Sequence, residues 1–168
     1  MSKAVVWKGL VAGAVGGAVA CWTMDQYQQL WASASEAFSD DKPKRKPSKQ
    51  PDDPTIKTAD AISEAIQGRH PTKPEKNKAG PAARYVFGML MGAAYGATVE
   101  MAPAAKSLAG VPFDTVLFAG PDEIAVPALG LSKAPATYLI SSHVYGLTSH
   151  AVYGVTTELV RRLVRSKI

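Results

Sequence analysis

Seven side chains could hold a charge or exchange a proton inside otherwise apolar stretches: Asp25, Glu100, Asp122, Glu123, His143, His150 and Glu158. An ionisable group at membrane depth is expensive and therefore a functional suspect. A histidine titrates in the physiological range. Proton or ion linkage is the chemistry such residues would support. Each also has a structural reading. Asp122 and Glu123 follow Pro121 and suit the first turn of a helix, where they complement its dipole. Glu158 has Arg161 and Arg162 at i+3 and i+4, a routine helical pair. Asp25 and Glu100 lie where they could reach headgroup water. A lone buried histidine is commonly a hydrogen-bonded structural residue. His143 and His150 stand seven residues apart, about 10 Å along a helix, so they cannot share a metal without a second helix.

No motif for catalysis accompanies them. The chain has no phosphate loop, HExxH, nucleophile elbow or CxxC. The expectation is a non-enzyme with no cofactor and no metal. The single cysteine, Cys21, excludes an intrachain disulfide.

The elements that would position these residues are apolar and glycine-striped. In Arg84–Pro103 the glycines Gly88, Gly92 and Gly96 recur every four residues, and the row continues to Glu100. Gly9, Gly13, Gly17, Cys21 and Asp25 form a second such row, in a proline-free block that predicts one helix from about Lys3 to Ala37. Gly146, His150, Gly154 and Glu158 form a third, on a helix predicted from Ala136 to about Val164. Small residues at this spacing let helix backbones approach closely, which is how helices pack where lipid removes the hydrophobic drive. Trp7, Trp22, Tyr27 and Trp31 suit an interface. A cleaved signal stays open as a rival for the N-terminal block, through Ala32-Ser33-Ala34 or a loose lipobox ending at Cys21.

The expected fold is all-α and integral to a membrane. Residues 1–38 form the first membrane helix, and 81–168 hold helices two and three. Between those two, 107–134 is a broken segment, re-entrant or packed on the bundle, because Gly120-Pro121-Asp122-Glu123 interrupts it. Residues 39–80 hold six prolines and many lysines, and read as a polar, largely disordered cytoplasmic loop. Thr55–Gln67 is a short amphipathic island within it.

The net charge is +5. The basic residues flank apolar runs, which points to lipid and topology rather than nucleic acid. With three crossings, the loop and C-terminal sides together hold all of the 19 Lys and Arg except Lys3, Lys8, Lys106 and Lys133. That split predicts a cytoplasmic C-terminus and an N-terminus on the opposite side.

The segments SHAVYGVTTELVRRLVRSKI, GAAYGATVEMAPAAK, VPALGLSKAP and GLVAGAVGGAVA resemble the YagU-like family of small bacterial inner-membrane proteins of unknown function. The polar positions carrying the likeness include Glu100, Lys106, His150, Glu158, Arg161 and Arg162. The resemblance implies a multi-pass bacterial inner-membrane location and no established reaction. The leading functional expectation is a protein that packs with itself or a membrane partner through its glycine rows. The alternative is a proton- or ion-linked conduit or pH-responsive element using the intramembrane acids and histidines.

Overall fold

The computed structural model describes residues 3–37, 73–128, 130 and 135–168. The island expected at Thr55–Gln67 lies outside them. Among the described residues the chain is helical throughout, with no strand. Helix α1 spans Lys3–Ala37, and α2 spans Lys73–Met101. Helix α2 thus takes in 73–80, which composition assigns to the polar loop. Pro81 lies inside it on an exposed face, while Gly80 before it is buried. An interior proline removes one backbone hydrogen bond, and here it does not end the helix.

A return segment follows. Pro103–Gly110 is a tight helical stretch broken by non-helical geometry at Ser107, Leu108 and Ala109. Helix α3 covers Val111–Leu117, Phe118–Ala125 is a π-helical stretch, and Val126–Ala128 is a last helical turn. The expected break at Gly120-Pro121 is therefore absorbed rather than terminal. Pro121 sits inside a run of wider helical turns, the usual accommodation for an interrupted hydrogen-bond ladder, and does not start a new helix. Pro135–Thr137 forms one further tight turn. Helix α4 then runs over Ile140–Arg165 from an extended Leu139. It begins later than Pro135 suggests, because the chain reversal uses 135–139.

Glycine sets how α1 meets α2. A Cβ on Gly9 would strike the Gly96 carbonyl, one on Gly13 the Gly92 carbonyl, and one on Gly17 the Gly88 carbonyl. The register descends on one helix as it climbs on the other, so the pair is antiparallel. Helix α4 packs on the other side of α1, also antiparallel. A Cβ on Gly16 would lie 2.7 Å from the Thr157 carbonyl oxygen. Thr23 Oγ1 donates to Thr156 Oγ1 at 3.1 Å, and the Tyr27 hydroxyl to Thr148 Oγ1 at 2.8 Å. The Trp31 and Tyr145 rings lie 5.7 Å apart.

Two helices antiparallel to α1 must be parallel to each other. Tyr153 on α4 donates to the Gly88 carbonyl of α2 at 2.5 Å, and Arg165 Nε donates to Glu100 at 2.7 Å. The chain from the end of α2 to the start of α4 therefore has to travel back along the bundle. The return segment does this against α4. Gly110 meets Gly154, Asp114 meets His150, and Glu123 meets His143. From the level of Gly154 to that of His143 these contacts cover about 16 Å at 1.5 Å per residue.

Three crossings would put the two termini on opposite sides. In the structure the start of α1 and the C-terminus share one end, where Lys8 Nζ donates to the Ile168 carbonyl oxygen. Among the described residues one helix, Val5–Ala37, is long and apolar enough to cross a membrane by length and composition.

Candidate polar site

The most buried charges lie along one face of α4, beneath α2 and the return segment. Glu158 is 0% exposed. It accepts from Arg161 Nε at 2.6 Å and Nη2 at 3.0 Å, from Arg162 Nε at 2.5 Å, and from the Tyr95 hydroxyl of α2 at 2.9 Å. The two arginines come from its own helix, as the i+3 and i+4 spacing predicts. The tyrosine does not, and it ties α2 into the cluster. Arg161 is buried too, and its Nη1 reaches Glu100 at 3.9 Å. Glu100 in turn receives Arg165 Nε. Two carboxylates and three guanidiniums thus knit α2 to α4 near the end that holds both termini. A buried charge with several charge-assisted bonds is tolerable; the same charge stripped of a partner is not.

About two turns from Glu158 toward the start of α4, His150 meets an acid that the sequence reading missed. Asp114, on α3, is 1% exposed, and its Oδ2 is 3.3 Å from His150 Nδ1. Gly154 makes the space, since a Cβ there would lie 2.8 Å from the Asp114 Cβ. The Tyr95 ring stacks at a tilt on Phe113, 4.9 Å between centroids, and its hydroxyl faces Gly110. The signal for Asp114 was present: it is the one acid in VPFDTVL.

The other expected positions scatter. Glu123 Oε1 lies 3.1 Å from His143 Nδ1 at the far end of the return segment, and Tyr138 stands edge-on to that imidazole. The Asp122 side chain lies outside the described residues. Asp25 pairs with Arg84 of α2 at 3.1 Å and accepts from Tyr85 at 3.3 Å, while Arg84 also donates to Gln28. The acids therefore do not converge on one centre. They form three stations: Asp25–Arg84, the histidine–carboxylate pairs, and the Glu158–Glu100 cluster. Among the described residues no group of three or more His, Cys, Asp or Glu is placed to hold a metal ion.

The glycine rows are engaged within the chain. Gly9, Gly13 and Gly17 face Gly96, Gly92 and Gly88, and Gly154 faces Asp114; Gly146 is half-buried. The first two rows face each other across the α1–α2 contact. Cys21 is buried too, with its thiol directed at the Arg84 carbonyl oxygen and packed on Gly88. No family model, curated protein or solved structure matches the chain.

Proposed function

We propose that this chain is a small, non-enzymatic integral membrane protein, a polar-cored helical bundle with its outer faces in lipid. The observation that carries the reading is the distribution of residue types. Glu158, Arg161, Asp114, Ser149 and Thr157 are buried with glycines and alanines, whereas Trp22, Leu30, Val86, Phe87, Leu90, Val116, Leu147, Leu159 and Leu163 are exposed. A water-soluble bundle would have the reverse arrangement, and an apolar exterior of this extent marks a lipid or protein contact. Helix α1 is long and apolar enough to cross by itself. On α4 the polar residues Ser149, Thr157, Glu158 and Arg161 are turned inward.

On this reading the return segment is the fourth crossing, and its irregular backbone lies against α4 as such backbone must within lipid. Both termini then share a side. The connection between α1 and α2, the first three turns of α2 up to Arg84, and Lys133 together carry 12 of the 19 Lys and Arg. The positive-inside rule puts that connection in the cytoplasm and both termini opposite it. The resemblance to YagU-like proteins suggests a bacterial inner membrane. A second copy or membrane partner would meet the apolar outer faces rather than the glycine rows. Alkaline carbonate extraction of membranes tests the reading. Retention in the pellet, with release by detergent alone, is expected; a monodisperse protein in the aqueous wash would overturn it.

A further inference from the structure

We propose that Arg162 and Arg165, with Leu159 and Leu163 beside them, form a binding site for one phospholipid with a net-negative headgroup. The site rests on the membrane reading and names a lipid that would sit on α4.

Three arginines share two carboxylates unequally. Arg161 gives both Nε and Nη2 to Glu158 and is buried. Arg162 reaches the same carboxylate through Nε, and Arg165 reaches Glu100 through Nε. A guanidinium carries five N–H donors in a fixed fork. Arg162 and Arg165 therefore keep their Nη nitrogens for a further acceptor. The Arg162 side chain is 54% exposed and that of Arg165 28%. Three residues apart, the two are neighbours on the helix surface. The cluster also holds three guanidiniums against two carboxylates, so one positive charge is left over. Complementing the negative end of the helix dipole would need charge alone. The spare forks add the geometry that a phosphate takes in bidentate fashion.

The surface beside them is apolar. Leu159 and Leu163 bracket Arg162 and are 54% and 69% exposed. Val155, half-buried, continues that row one turn further in. Along α4 the order is thus leucines inward and arginines at the end that holds both termini. A phospholipid fits that order, with its chains along the leucines and its phosphate at the two forks. A soluble anion would make no use of the leucines. A zwitterionic headgroup would leave the surplus charge unmet. A basic residue near the membrane surface favours anionic lipid by about fivefold.

The test uses the full-length protein, extracted from membranes into detergent micelles. The micelles carry equal amounts of phosphatidylglycerol and phosphatidylcholine with the same chains. Native mass spectrometry counts which lipid stays bound. Wild type should retain phosphatidylglycerol over phosphatidylcholine by about fivefold or more. Arg162→Gln removes the surplus charge while Arg161 still neutralises Glu158, and should bring the ratio close to one. Ser166→Glu should do the same without touching Glu158, by offering Arg162 a carboxylate one turn away. Lys106→Gln removes an exposed charge from the same end, on Pro103–Gly110, and should leave the ratio unchanged. Equal retention of both lipids by wild type, or a preference that survives both Arg162→Gln and Ser166→Glu, would overturn the proposal and leave the membrane reading standing. A loss in Lys106→Gln as large as in Arg162→Gln would overturn it too, since the attraction would then be diffuse. Failure of the membrane reading itself shows separately, as a chain released by the carbonate wash.

Discussion

Gly13 and Gly92 meet backbone to backbone: a Cβ on either would collide with the carbonyl oxygen of the other. Gly17 Cα and N also lie 2.8 and 2.9 Å from a Cβ on Gly92. Gly92→Leu should therefore force α1 and α2 apart. Overpacking in cores costs about 1–3 kcal/mol, and backbone offers less room to yield than side chains do. The melting temperature in detergent should drop clearly, while Leu90→Ile, on an exposed face of the same helix, should leave it unchanged. Equal melting of wild type and Gly92→Leu would show that the two helices do not touch there.

Glu158 is the acid on which the α2–α4 contact depends most. Glu158→Gln keeps the shape but leaves Arg161 buried without its main counter-charge. Breaking a buried pair by removing one partner costs about 3–5 kcal/mol. Tyr95→Phe removes one hydrogen bond to the same carboxylate and should cost about 1 kcal/mol. Thermal or denaturant unfolding in detergent should rank the two variants in that order. The opposite ranking would mean that the carboxylate is hydrated rather than enclosed.

The Asp25–Arg84 pair should behave differently. Both side chains are about a third exposed, and such pairs contribute only about 0.2–1 kcal/mol. A double-mutant cycle with Asp25→Asn and Arg84→Gln should give a coupling within that range, weakened by added salt. A coupling above 2 kcal/mol would place this pair in the interior with Glu158.

Much of this arrangement can be read from the chain. The extent of α1 follows from a proline-free block, and the glycine spacing marks the surfaces along which helices approach. Arg161 and Arg162 advertise themselves as partners of Glu158 through helical periodicity. Other features depend on contacts between distant residues, which no local pattern encodes. Nothing near Tyr95 says that its hydroxyl will reach Glu158, or near Glu100 that Arg165 will. Asp114 looks like an incidental acid until Gly154 is seen to make room for it. The direction of α4 is the least legible feature. A broken apolar segment reads as a detour, whereas its pairing with α4, Gly110 to Gly154 and Glu123 to His143, makes it a full return.

That return places both termini at one end of the bundle, and the positions of the two termini test it most directly. Paired fusions of alkaline phosphatase and green fluorescent protein, at each terminus in turn, report which side each occupies. The four-element bundle in lipid predicts the same outcome at both ends, an active phosphatase and a dark fluorescent fusion. Opposite outcomes at the two termini would contradict it, because an odd number of crossings cannot be reconciled with α4 running parallel to α2.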